Sequence, residues 1–271
     1  MNLRRAKIIG FISVKGGVGK TTTVANLGAI LAKEYSKKVL IVDGNFSGPN
    51  LALHYGFTKI EHTLHDVFEG KVTLQKAIYE HPSGLHLLPL SYYSRKVDYN
   101  KFYQYIASLK GYYDVILIDS SPSMNSEIIA TLMASDEVFI LSTPDHVALA
   151  STLAAVRLAK QKRTYIAGII LNKVRGKKYE LKVEDIQDAV KIPVVSVLKE
   201  DPNMLMALSK SKPLSLLKPR NDAVVEYKKL AAALIGERYK DKRIITKLKG
   251  MFGKKLSQED VNRAIIMVSH Y

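Results

Sequence analysis

Residues 13–22, SVKGGVGKTT, put glycines, hydroxyls and two lysines into one short stretch. Glycines let a backbone curl until successive N–H groups converge on an anion, and a helix opening just afterwards adds its positive end. In such a loop Lys20 meets the β- and γ-phosphates of a nucleotide and the Thr21 hydroxyl ligates Mg²⁺. Gly16, Gly17, Val18, Gly19, Lys20, Thr21 and Thr22 are therefore the candidate phosphate-binding residues. Two features depart from the general loop. Position 14, six residues before Lys20, holds Val14 where that loop has glycine, and Lys15 adds a cation that the loop's own chemistry does not require.

The elements that position these residues follow from the apolar pattern. Short β-branched runs at 8–13, 39–43, 85–90, 114–119, 137–143, 166–172 and 194–198 read as strands. Helical stretches are expected at 20–35, 99–110, 127–135, 146–160, 183–190 and 223–235. Strands alternating with helices predict an α/β fold: a doubly wound, mostly parallel β-sheet with helices on both faces, as in P-loop NTPases. The phosphate loop then joins the first strand to the first helix. The chain divides into an ATPase domain over 1–238, a basic amphipathic segment over 239–256 and a short helical extension over 257–271.

KGGVGKTT resembles the deviant Walker A motif of the MinD/ParA family of ATPases, and the resemblance covers roughly residues 6–235. It implies that Lys15 is the signature lysine, which crosses to the phosphates held by the partner subunit of an ATP-sandwich homodimer. YDVILIDSSPS (113–123) is similar to the Walker B segment, which implies that Asp119 stands near Mg²⁺; Ser120 and Ser121 there could also serve as helix caps. TLHDVFEGKVTLQKAIYE (63–80) and GLHLLPLS (84–91) look like the MinD side of the family. GIILNKV (168–174) implies an adenine contact from Asn172, and EDPNMLMALSKSKPL (200–214) a second adenine-side loop containing Asp201, although Leu198 and Lys199 stand where the family usually has a proline.

IVDGNFSGPN (41–50) corresponds to the family's switch, normally Asp-x-Asp. Asp43 would again sit near Mg²⁺, but Asn45 replaces the second acid. An amide holds a water by hydrogen bond and cannot take its proton. Loss of a general base slows a reaction roughly 10²–10⁴-fold where one is needed, and less where positioning dominates, as in phosphoryl transfer. The expectation is an ATPase that turns over slowly, with Lys15, Lys20 and Asn45 as its catalytic set.

Composition narrows the function class. Cysteine is absent, which excludes disulfides, thiolate metal sites and cysteine-ligated iron–sulfur clusters. The basic start followed by an apolar run is not read as a signal peptide, because phosphate-loop chemistry begins at once. No run reaches the ~18 apolar residues of a membrane span, so a soluble, cytoplasmic protein is expected. His62, His65 and Asp66 read as surface residues near a helix start rather than a metal site, and Met204 and Met206 as packing.

The formal net charge is +16, with basic residues concentrated in 238–255, where Asp241 is the one acid. Ile244, Ile245, Leu248, Met251, Phe252 and Leu256 recur there at helical spacing, a basic amphipathic pattern suited to an acidic membrane surface. It resembles the membrane-targeting helix of MinD, but the chain continues past it, and Val261, Ala264, Ile265 and Val268 are expected to form a further apolar helix face. The leading function is a MinD-type switch, peripherally membrane-associated with ATP bound, that positions an activating or cargo protein. The alternatives are a ParA-like partition ATPase binding non-specific DNA through its basic body, and a nucleotide-binding scaffold with negligible hydrolysis.

Overall fold

The computed structural model describes residues 6–92, 97–241 and 257–268. Its centre is one eight-stranded sheet in the order β3-β4-β2-β5-β1-β6-β7-β8, formed by β1 (Lys7–Ile12), β2 (Val39–Gly44), β3 (Tyr79–Glu80), β4 (His86–Leu88), β5 (Val115–Ser120), β6 (Glu137–Ser142), β7 (Tyr165–Val174) and β8 (Val194–Lys199). Every pairing is parallel except β3 with β4. Strands β2, β5 and β6 are buried along their whole length, as continuous apolar runs covered on both faces must be.

Helices supply the two covers. On one face α1 (Lys20–Lys33) packs with α7 (Asn203–Ser209), α8 (Leu214–Leu217) and α9 (Asp222–Leu234) around Leu27, Ile41, Leu117 and Leu230. On the other lie α2 (Leu64–Phe68), α3 (Tyr99–Ser108), α4 (Ser126–Ala134), α5 (His146–Gln161) and α6 (Val183–Val190). Because the main strands are parallel, the segments after β1, β2, β5, β6, β7 and β8 leave from one edge of the sheet, and ligands of open α/β sheets bind along that edge.

The expected strands and long helices are present with shifted ends. The strand expected over 85–90 is only His86–Leu88, since Pro89 has no N–H to continue a ladder and its carbonyl instead accepts from Leu64 N. The antiparallel strand β3 and the short helices α7 and α8 carried too few residues to show a period. His65 corrects its expectation: it is buried, its Nδ1 accepts from Ser91 N at 3.1 Å, and its ring packs on Phe46. Asp66 closes a capping box with Thr63.

Helix α10 (Gln258–Val268) docks beside β8 and α9, but not through the face that its apolar residues mark. Val261, Ala264 and Ile265 are exposed; Asn262, Arg263 and Ile266 are buried. The reason lies in the edge strand, whose carbonyls need donors. Asn262 Nδ2 donates to Val194 O at 2.7 Å, and Arg263 Nη1 donates to Val195 O at 2.9 Å. Arg263 also pairs with Asp260 and lies 3.7 Å from Glu226. The amphipathic segment expected over 240–256 falls, from 242 onward, outside the described residues.

Arg263→Ala removes the side-chain donor to the Val195 carbonyl and one partner each of Asp260 and Glu226, so it should lower the unfolding free energy by about 2 kcal/mol. Ile265→Ser, on the outer face, should change it by less than about 0.5 kcal/mol. Chemical denaturation of the two variants measures this, and equal losses would contradict the docked face.

Candidate nucleotide site

The phosphate loop is knotted by Ser13, whose Oγ accepts from Lys15 N at 3.1 Å and donates to Lys15 O at 3.0 Å. Gly17 and Gly19 have φ of 74° and 92°, which side chains rarely adopt, and a Cβ on Gly19 would run into the Asn172 amide. Gly19 is also the N-cap of α1, so no side chain covers the first amides of that helix, which stay available to an anion. Lys20 follows at once and is buried; burial lowers its pKa, with the Asp119 carboxylate opposing that shift.

Two carboxylates stand side by side at the ends of β2 and β5, where Asp43 pairs in register with Asp119. Asp119 Oδ2 accepts the Thr21 hydroxyl at 2.6 Å, while its Oδ1 is buried without a hydrogen-bond partner among the described residues. Burial pushes the Asp119 carboxyl up to about 6, against the hydroxyl of Thr21 and the charge of Lys20. Asp43 is raised to about 8 by burial and then by Asp119, against the N–H groups of Asn45, Leu51 and Asn50, which its oxygens accept at 3.0–3.1 Å. An orphan carboxylate oxygen beside a hydroxyl and a second acid fits a hard divalent cation. Among the described residues no cluster of three His, Cys, Asp or Glu could hold a metal alone, so such a cation needs oxygens from its ligand as well.

A cavity of about 590 Å³ runs from this loop to the segment after β8. It gathers most of the expected residues: Gly17, Gly19, Lys20, Thr21, Thr22, Asn45, Asn172 and Asp201. Asn172 Nδ2 donates to Val18 O at 2.7 Å, which joins the β7 end to the phosphate loop. Asp201 organises its own loop, accepting from Asn203 N and from Asn221 Nδ2, each at 2.7 Å. Asn45 Nδ2 turns onto Gly48 O at 2.6 Å.

Lys15 points elsewhere. Its Nζ donates to Asp145 Oδ2 and Oδ1 at 2.9 and 3.1 Å and to Thr143 Oγ1 at 3.4 Å. Burial works against the charge on Asp145, yet the Thr143 hydroxyl, the Ala148 amide and Lys15 hold its carboxyl at about 2. The wall also includes His54, Leu205 and Tyr227. Leu205 belongs to the expected adenine-side loop, whereas nothing in the local sequence marks His54 or Tyr227, which the fold delivers from separate elements.

A family model described as AAA domain matches residues 6–166. An uncharacterized ATP-binding protein of Methanocaldococcus jannaschii is 31% identical over 257 residues, covering 91% of this chain and 97% of that one. The solved septum site-determining protein MinD of Pyrococcus horikoshii, complexed with Mg-ADP, is 31% identical with a TM-score of 0.80, covering 92% of this chain and 100% of that one. The chain belongs to the MinD/ParA family of P-loop ATPases. MinD of Aquifex aeolicus, solved in a MinC:MinD cell division complex, is 28% identical with a TM-score of 0.77, covering 88% of this chain and 99% of that one. The family member described here carries its glycine-rich loop after β1, a central strand of its mostly parallel sheet.

The two raised carboxyls set a pH dependence. A carboxyl whose folded pKa exceeds its unfolded value of about 3.9 stabilises the fold fully below that value. That contribution is lost as pH rises through the folded values, about 6 for Asp119 and about 8 for Asp43. The nucleotide-free chain should therefore melt at falling temperature between about pH 5 and 8, and Asp43→Asn should flatten the slope. A Tm that stays level or climbs across this range would contradict the assignment.

Proposed function

We propose that this chain is an ATP-dependent dimerising switch of MinD type. It binds Mg-ATP in the cavity beside the phosphate loop, with Lys20 on the β- and γ-phosphates, Thr21, Asp119 and Asp43 on the metal side, and Asn172 and the Asp201 loop around adenine. Thr21, Asp119 and Asp43 would hold Mg²⁺ there, and the ion would supply neutralisation of the phosphate charge. The observation that carries the reading is the pairing of a phosphate loop with Lys15, a lysine not turned into its own loop but held at its outer side by Asp145. Such a cation supports reach toward a nucleotide on a second subunit, which makes ATP part of the dimer interface.

Turnover is slow. Asn45 orients the attacking water through its amide and has no basic group to take the proton. The chain is cytoplasmic with ADP and peripherally membrane-associated with ATP, through residues 240–256. Among the described residues no helix is long and apolar enough to cross a membrane. One basic amphipathic segment binds acidic lipid weakly, at about 1 kcal/mol per nearby Lys or Arg, and two held in one dimer bind far better through effective concentration. On the membrane the dimer positions an activating or cargo protein.

Co-sedimentation with acidic-lipid vesicles tests this. The full chain should pellet with Mg-ATP and remain in solution with Mg-ADP, and a chain ending at 238 should not pellet in either state. In the same samples Asn45→Asp should hydrolyse ATP faster than wild type. Failure to pellet in every state, with retention on DNA in ATP, would replace the membrane with DNA as the surface.

A further inference from the structure

The loop after β2 is anchored at three points, and the nucleotide chemistry accounts only for Asp43. A second anchor is Phe46, buried in a cage of rings, with centroids 5.4 Å from Phe102, 5.6 Å from Tyr99 and 6.4 Å from Phe68. The third is Ser47. Its N–H donates to Glu127 Oε2 at 3.2 Å and its hydroxyl donates to Glu127 Oε1. Glu127 is buried in the first turn of α4, where the helix dipole favours a carboxylate. That turn belongs to the segment that leaves the sheet after Asp119, so the Ser47–Glu127 contact ties the loop carrying Asn45 to the strand end on the metal side.

We propose that Glu127 is a positioning residue for ATP hydrolysis, acting through Ser47 to hold Asn45 at the cavity. The inference rests on the reading of Asn45 as the group that holds the attacking water. In that step the water oxygen bonds to the γ-phosphorus while the bond from phosphorus to the β,γ-bridging oxygen breaks. Its electron pair leaves with ADP, and the water's proton passes to the released phosphate. Asn45 contributes only location, so the rate depends on how firmly its loop is fixed. Its amide bonds Gly48 O across Phe46 and Ser47, and both of those residues are themselves pinned. Beyond the end of β2 at Gly44, loss of the Glu127 contact would leave Phe46, Asp43 and the loop's own Asn45–Gly48 bonds to hold the Asn45 side, with Ser47 exposed.

Ser47→Ala, Glu127→Ala and the double variant test this in the full chain with Mg-ATP. Ser47 is exposed, so its variant stays informative where loss of a buried carboxylate weakens α4. Ser47→Ala should lower the single-turnover rate about tenfold, with affinity for a fluorescent ATP analogue within about twofold, because a lost charge-assisted bond frees the loop without touching the nucleotide. Ser47→Thr should restore the rate, and the double variant should be no slower than Glu127→Ala. Amide hydrogen exchange over 45–50, with a non-hydrolysable analogue bound, should quicken in each Ala variant. Full-rate turnover in both single variants, a fall in affinity matching the fall in rate, or unchanged exchange would overturn the clamp. Exchange needs no hydrolysis, so a wild-type chain that binds ATP without turning it over counts against the Asn45 reading while the clamp is still decided.

Discussion

Asp119 is buried at the end of a central strand, bonded to the Thr21 hydroxyl, opposed by the Lys20 ammonium and flanked by Asp43. A carboxylate removed from water needs compensation that this group receives only in part. One of its oxygens lacks a partner among the described residues. The need is met when a cation and a phosphate enter, and much of the surrounding architecture follows from it. Gly19 must lack a side chain so that α1 offers free amides. Lys20 must be buried so that its charge is directed rather than screened. The switch loop must close around Asp43, whose buried carboxyl oxygens take their hydrogen bonds from the N–H groups of Asn45, Asn50 and Leu51.

Much of this is legible in the sequence itself. Glycines and Lys20 announced a phosphate loop because only such residues allow that backbone, and β-branched runs such as 114–119 announced buried parallel strands. What the sequence hid were matters of facing. His65 looked like a surface residue beside a helix start, yet the ring cage around Phe46 encloses it. The cavity residues His54 and Tyr227 carry no local signature. The apolar stripe of the last helix pointed to the wrong docking face, because the β8 edge required donors and Asn262 and Arg263 supplied them. Period alone sees hydrophobicity and is blind to unpaired carbonyls.

In the proposed switch Lys15 links the nucleotide site to assembly. Its pair with Asp145 is partly solvent-exposed on both sides, and exposed pairs of this kind contribute only about 0–1 kcal/mol. In the proposed dimer, releasing it for a γ-phosphate on another subunit would thus cost little. The most direct measurement is sedimentation velocity of the wild-type chain and Lys15→Ala with Mg-ATP and with Mg-ADP, alongside ATP affinity. The account predicts a wild-type dimer with ATP alone, and a Lys15→Ala chain that still binds ATP but stays monomeric. A wild-type monomer in ATP, or a Lys15→Ala chain that dimerises as readily as wild type, would contradict it.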